Sequence, residues 1–343
     1  MSIVRTVLDD IDPSALGHTQ PHEHLLADLS RPLPARATTS ERAIDNAPIT
    51  LDNHYRVRRH HTSEDLRLDS VDVAVAELRP YTEAGGRTIV DATSIGLGRD
   101  PRGLAAVSRR SGVHVVMGCG FYYRDYHPHD VTSRDRDDLA AEIVSDVRTG
   151  VGDTAIKAGI IGEIGLSHPL HPQEEKVLRA ACAAQRETGA ALMIHPGRDP
   201  RSPGQALDII AAEHVDPARV IMSHVERTVF SAAEMRAIAA SGCYVEFDLF
   251  GQESSYYSLA PIDMPNDATR VDYIADLIDG GYASQILISQ DICHKTNLMR
   301  YGGEGYAHIL EHVLPLMRRK AVSDAHIAQI TMANPARALA FAP

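Results

Sequence analysis

The sequence predicts an α/β protein, a (β/α)8 TIM barrel with a long first βα loop. Three observations point there. Short apolar runs recur eight times, and between most of them lies an amphipathic stretch of helical length. Those stretches often end at glycine, at Gly85-Gly86, Gly112, Gly150, Gly189, Gly242 and Gly280-Gly281, the residue that most readily stops a helix. No Gly-x-Gly-x-x-Gly turn follows the first run, which removes the main argument for a doubly wound dinucleotide-binding sheet.

Taken in order, the expected strands are 16–24, 88–93, 113–118, 160–166, 191–195, 220–224, 244–250 and 286–291. The expected helices between them are 71–84, 101–111, 136–149, 173–188, 204–214, 232–240 and 270–279, with 306–320 and 323–332 following the eighth strand. Strands alternating with helices of this length form a parallel sheet, and eight such units fill the chain, so residues 1–343 are read as one barrel domain. The rhythm breaks once, at 25–70. This segment carries Arg31, Arg36, Arg42, Arg56, Arg58, Arg59 and Arg67 with His60 and His61. Loops this long are unusual and often functional. It is either a solvated surface loop or a lid over the barrel mouth that attracts anionic substrates.

Composition narrows the function. Lys and Arg number 34 against 46 Asp and Glu, a net charge of −12, so a broad nucleic-acid-binding surface is not expected. With 44% hydrophobic and 23% charged residues the chain is globular rather than disordered. No apolar run is long enough to span a membrane. The N-terminus, MSIVRTVLDDIDPS, lacks an export signal, so a cytoplasmic location and a small-molecule substrate are expected. Cys119, Cys182, Cys243 and Cys293 lie far apart with no Cys-x-x-Cys spacing and are read as reduced, buried thiols.

Catalytic residues of such a barrel sit at the C-terminal ends of its strands. The first expected strand ends in His22-Glu23-His24, the fourth carries Glu163, the fifth ends at His195, the sixth at His224 and the eighth at Asp291. His22 and His24 are two residues apart, so on a strand they share a face and can chelate one ion. That pair alone is weak, because the chain's 18 histidines supply about one His-x-His by chance; His127-Pro128-His129 is another and reads as loop. The weight lies in co-occurrence, with each polar residue standing where an apolar strand stops. Imidazoles and carboxylates suit Zn2+, and also Mn2+, Co2+ or Fe2+. Six ligands exceed what one tetrahedral ion needs, whereas two divalent ions sharing a carboxylate and a hydroxide use them all. His308 and His312, spaced one helical turn apart, do not form His-Glu-x-x-His and are read as packing residues. His168 and His171 are read as loop residues.

At these positions the sequence resembles the phosphotriesterase-like branch of the amidohydrolase superfamily, nearest its phosphotriesterase-related subgroup. The resemblance runs along essentially the whole chain, through GHTQPHEHL (17–25), GGRTIVDAT (85–93), GIIGEIGLS (159–167), the His195 strand end, SHVERT (223–228), ILISQDI (286–292), YGGEGYAHIL (301–310) and NPARAL (334–339). It implies that His22, His24 and Asp291 hold a buried α ion, that His195 and His224 hold a more exposed β ion, and that Glu163 bridges them. The best-known members use a carboxylated lysine there; the glutamate is shorter and needs no CO2. Lys157 is not taken as the bridge. A second departure is Arg227, three residues after His224, where organophosphate-degrading members place a relay aspartate. An arginine there suits either a substrate anion or a structural ion pair with Glu226 or Asp248. Tyr122, with Tyr123 as the neighbouring alternative, resembles a pocket tyrosine of lactone-hydrolysing relatives.

The expected chemistry is attack of a metal-bridging hydroxide on a small, anionic ester, lactone or amide, with Asp291 as both ligand and proton shuttle. Arg227, Lys295, Arg300 and the Arg-rich loop are the expected contacts to the substrate's acidic group. Phosphotriester hydrolysis is the first alternative, weakened by Arg227. A one-metal amidohydrolase such as a deaminase, predicting a single ion and no bridging role for Glu163, is the second. A non-catalytic metal-binding barrel is the third. A homodimer is the family expectation.

Overall fold

The computed structural model describes residues 2–30, 38–60, 62–253, 257 and 259–341. Eight parallel strands form one sheet in sequential order: β1 (His18–Glu23), β2 (Gly86–Asp91), β3 (His114–Cys119), β4 (Ile160–Gly165), β5 (Ala191–His195), β6 (Val220–Met222), β7 (Tyr244–Phe247) and β8 (Ile286–Ile288). Among the described residues no regular ladder joins β8 to β1. The seam is closed beyond the end of β8, where the Asp291 N–H donates to His22 O (3.1 Å) and the His24 N–H to Ile292 O (3.3 Å). The buried Glu23 carboxylate reinforces it, accepting from Ser289 Oγ and from the backbone N–H groups of Gln290 and Ile292 at 2.8–2.9 Å. Its burial pushes the carboxyl pKa up to about 8, against those hydrogen bonds.

The two-residue period of a strand divides the core. Val90, Val116, Ile160, Met193, Ile221 and Leu287 pack inside the barrel. Alternate residues such as Val115, Leu192, Ile194, Ile286 and Ile288 pack outward among the helices. Those helices are α1 (Val71–Glu83), α2 (Pro101–Ser111), α3 (Arg136–Arg148), α4 (Pro172–Thr188), α5 (Ser202–Ala212), α6 (Ala232–Ala240) and α7 (Asp267–Asp279). Side-chain caps fix several starts: Ser70, Asp100, Asp135, Ser231 and Asn266 each accept from a backbone N–H in the first turn. After β8 a π-helical turn, Ile309–Val313, runs into Leu314–Arg319, and a second, Gln329–Ala333, into Asn334–Leu339.

Six of the eight expected strands run past the observed C-terminal ends, while the fifth matches and the third falls one residue short. β6 stops at Met222 and β8 at Ile288, short of His224 (φ 53°) and Asp291 (φ 49°), whose left-handed backbone no strand accommodates. The 25–70 segment is also more structured than a plain loop. Ala27–Asp28 pairs antiparallel with Arg67–Leu68 at its base, and it carries short helices Thr39–Asp45 and His54–His60. Arg31, Arg36 and His61 lie outside the described residues.

Candidate metal centre

All six expected ligands converge inside the barrel at the strands' C-terminal end. His22, His24 and Asp291 form one group of mutually close donor atoms, and Glu163, His195 and His224 form another. His195 follows Met193 by two residues, so the strand's own alternation turns it inward. Glu163 arrives by a different route. Ile161 and Ile164 both pack in the outer layer although three residues apart, which a regular pleat forbids; the register shift between them turns Glu163 inward. Left-handed backbone at His224 and Asp291 costs a non-glycine residue about 1–2 kcal/mol. Two such residues at donor positions mark strain retained where the site needs it.

In the first group the spacing fits a cation better than hydrogen bonds, whereas in the second His195 Nδ1 lies at hydrogen-bond distance, 2.8 Å, from both Glu163 Oε2 and His224 Nε2. Atoms sharing a tetrahedral ion at about 2.1 Å stand about 3.4 Å apart. His24 Nε2 lies 3.5 Å from Glu163 Oε1 and 3.4 Å from Asp291 Oδ1. His22 Nε2 lies 3.6 Å from Glu163 Oε2 and 3.8 Å from Asp291 Oδ1, and is buried without a hydrogen-bond partner. In the second group Glu163 Oε2 is 2.8 Å from His195 Nδ1 and 3.6 Å from His224 Nε2. Glu163 thus presents one oxygen to His24 and the other towards His195, His22 and His224.

The opposite ring nitrogens are held by neighbours, as ligand imidazoles require. Thr93 Oγ1 is 2.8 Å from His24 Nδ1, and Asp248 Oδ1 is 2.7 Å from His224 Nδ1. His22 Nδ1 faces Asp248 Oδ2 (3.1 Å), Ser223 Oγ (3.3 Å) and Glu246 Oε2 (3.4 Å). Burial opposes ionisation of Glu163, but the imidazoles of His195, His224 and His24 outweigh it and hold the carboxyl well below its usual range. Burial, then the neighbouring His224 and Arg227, push His195 well below its usual range, although Glu163 opposes them. The neutral ring is the form that offers a lone pair to a cation. For His24 the carboxylates of Asp291 and Glu163 overcome burial and raise the pKa to about 10, so proton and cation compete for that nitrogen.

The site opens into a cavity of about 740 Å3. Its floor is His24, Glu163, His195 and Asp291, and residues of the first loop, including Leu29, Tyr55, Arg58, Arg59 and Leu66, form part of its wall. Tyr122 reaches the floor: its Oη lies 3.2 Å from His195 Nδ1 and 3.4 Å from Nε2. Gly165 permits this, because a Cβ there would collide with the backbone at Tyr122 and Tyr123. His127 Nε2 sits 2.6 Å from Tyr122 O, so that loop histidine braces the tyrosine's backbone. Tyr123 lines the cavity beside it.

Arg227 also lines the cavity and is only 3% exposed. It forms no ion pair with Glu226 or Asp248. Its Nη2 lies 2.9 Å from His195 Nε2 and donates to Pro196 O at 3.4 Å, while Glu226 is engaged by the buried Arg270 instead. Burial and the charge of nearby Arg198 lower the Arg227 pKa. Lys295 and Arg300 are not brought to this cavity. The Lys295 ammonium pairs with Glu64 (2.7 Å) and Asp69 (3.7 Å), and Arg300 is exposed on the single turn Met299–Tyr301.

Glu246, Arg198 and Tyr257 are not among the residues expected from the sequence, and Asp248 is expected there only as a partner for Arg227. One signal was available: Glu246 and Asp248 are carboxylates at alternate positions of an otherwise apolar strand, Tyr244–Phe247 and its continuation. His308, read as packing, does pack, with Nε2 2.7 Å from Asp267 Oδ2, but it also lines the cavity. His171 caps α4, accepting from the Gln173 N–H.

A parallel barrel with imidazoles and carboxylates gathered at its C-terminal mouth could hold metal ions there, and the chain's relatives include hydrolases. The chain belongs to the Phosphotriesterase family, whose sequence profile matches residues 2–339. It is 37% identical over 346 residues to the N-acetyltaurine hydrolase of Pongo abelii, covering 98% of each chain. It is 37% identical over 347 residues to the Phosphotriesterase-related protein of Nematostella vectensis, covering 99% of each. Among solved structures, a Resiniferatoxin-binding protein from Rhodobacter sphaeroides superposes with a TM-score of 0.93 at 35% identity, over 98% of this chain and 94% of that one.

Proposed function

We propose that the protein is a binuclear metal-dependent hydrolase acting on a small ester, lactone or amide that bears an acidic group, with an N-acylated amino acid or aminosulfonate as the favoured class. One observation carries the reading: Glu163 lies between the two donor groups, with Oε1 3.5 Å from His24 of the first and Oε2 2.8 Å from His195 of the second and 3.6 Å from both His22 and His224. The similarity to N-acetyltaurine hydrolases supports an amide with an anionic leaving group. Zn2+ is the favoured metal, with Mn2+, Co2+ or Fe2+ compatible.

His22, His24 and Asp291 would hold one ion and His195 and His224 the other, with Glu163 between them. Bound divalent ions supply Lewis acidity and a water acidic enough to attack near neutral pH. Asp291 is the ligand whose side chain is most open to the cavity, 15% exposed against 3% for Glu163. Its carboxylate takes the proton of the attacking water and delivers it to the departing amine or alcohol. Tyr122 Oη, over the His195 ring, is placed to donate to the oxygen on which charge develops. Arg227 stands where a relay aspartate would take up a proton; a guanidinium does not release or accept one near neutral pH, so phosphotriester turnover is expected to be slow. The test is hydrolysis of N-acetyltaurine, N-acetyl amino acids, anionic lactones and paraoxon by metal-loaded protein, with elemental analysis of the same sample. Two ions per chain with turnover of the anionic acyl compounds is the expected result. One ion per chain, or faster paraoxon cleavage, overturns it.

A further inference from the structure

We propose that Arg198, acting with Arg227, is the clamp that binds the substrate's sulfonate or carboxylate, and so sets the protein's preference for anionic acyl compounds. The inference rests on the hydrolase reading for its substrate, but not for its anion.

Both arginines line the cavity over the metal-ligand floor, and neither has a carboxylate within 4.0 Å among the described residues. The carboxylates that share the cavity are engaged elsewhere. Asp125 pairs with Arg124, Glu253 accepts from the Asp267 N–H, Glu304 lies 3.5 Å from His308, and Glu163 and Asp291 belong to the ligand groups. Two guanidinium groups in a partly dehydrated cavity with no countercharge are costly until an anion arrives.

Arg198 is held ready for that anion. It leaves β5 three residues after His195, and its Nε donates to Tyr257 Oη at 2.8 Å. The Tyr257 ring lies against the guanidinium, 5.8 Å from Cζ to the centroid. That fixes the plane of the fork and leaves the Nη donors for a ligand; an arginine fork matches two oxygens of one carboxylate or sulfonate.

Arg227 is positioned to join it. A neutral imidazole that gives Nδ1 to a cation carries its hydrogen on Nε2, so His195 in that state has no lone pair for Arg227 Nη2. The guanidinium then needs an acceptor beyond the Pro196 carbonyl (3.4 Å) and Thr228 Oγ1 (3.5 Å), and it lines the cavity. Lys295 and Arg300 are not part of this clamp: the first pairs with Glu64, and the second is exposed on a turn outside the cavity.

The test uses the metal-loaded full chain, with Arg198→Met and the conservative Arg198→Lys. Ethanesulfonate and propionate are titrated calorimetrically, with propionamide as the neutral control. In parallel, kcat and KM are measured for N-acetyltaurine, N-acetyl-β-alanine and uncharged N-acetylethylamine. Arg198→Met is expected to weaken binding of ethanesulfonate or propionate, and to raise KM for the matching acyl compound, by about 10- to 100-fold. N-acetylethylamine turnover and metal content should stay within about twofold, and Arg198→Lys should recover part of the loss. Equal losses on charged and neutral substrates would assign Arg198 a structural role and overturn the clamp, as would unchanged binding of both anions. The two readings fail separately. Arg198-dependent anion binding without turnover of any substrate would remove the hydrolase reading and keep the clamp. Turnover with no binding of either anion would do the reverse.

Discussion

Replacing Glu163 with glutamine probes the centre most directly. The side chain is 3% exposed and keeps its shape, so the change removes charge while barely altering volume. Glutamine retains one acceptor oxygen and sets an NH2 group against the other donor group, which then meets a hydrogen-bond donor where it had a carboxylate oxygen. A hydrogen bond to an ionised group is worth about 1.5–3 kcal/mol, a conservative measure for a ligand bond. Losing that interaction in one donor group while the other keeps its oxygen amounts to about 1.5–3 kcal/mol, or roughly 10- to 100-fold in affinity. Wild type and Glu163→Gln would be stripped with chelator, titrated with Zn2+ under metal-buffered conditions, and analysed for metal per chain after dialysis. Wild type should hold two ions; the variant should hold about one, with the second binding weakened by that factor. The metal-free melting temperatures of the two proteins provide the control for folding. One ion in both proteins, bound equally well, would refute the bridge and with it the binuclear mechanism.

Three further outcomes are expected from the same geometry. Asp248→Asn keeps the contact to His224 but loses the charge that orients its ring; metal affinity should fall about 10- to 100-fold in a chelator competition while the metal-free fold is kept. Arg270→Leu strands the buried Glu226 and Asp267 carboxylates and should cost about 3–5 kcal/mol in denaturant unfolding at neutral pH, a loss that high salt leaves unchanged because the pair is buried. His18 is buried against Tyr81, and desolvation lowers its pKa from 6.5 to about 4. The folded state therefore resists a proton that the unfolded chain accepts, so stability contributed above pH 6.5 is lost as pH falls towards 4, by at most about 3 kcal/mol. His18→Leu should flatten that part of the profile relative to wild type; identical slopes would show that His18 does not titrate as argued.

The elements were largely legible in the linear chain because each is encoded within its own length. The run 191–195 is a strand as expected, and α2 and α6 match residue for residue, since apolar period, capping side chain and terminal glycine are local. The ligands were legible for the same reason: an inward-facing polar residue that ends an apolar strand is visible without knowing its neighbours. The errors share a cause too. The strand ends at His224 and Asp291 were overrun because apolar pattern does not report a left-handed turn; Glu163 was named from the sequence, although the register shift that turns it inward is invisible to simple alternation.

The linear chain was enough to read a barrel of eight alternating units, the six donors at its mouth and the likeness to a hydrolase family. How the charges pair emerged only on folding. Lys295 meets Glu64 from 231 positions away and is neutralised by the first loop, while Arg270 takes Glu226 and leaves Arg227 to the cavity. Arg198, unremarkable in the chain, becomes a cation over the metal-ligand floor. Periodicity is a property of neighbouring residues, whereas the partner of a charge is set by which distant segments the closed barrel brings within a few ångströms, where the low dielectric makes that choice decisive.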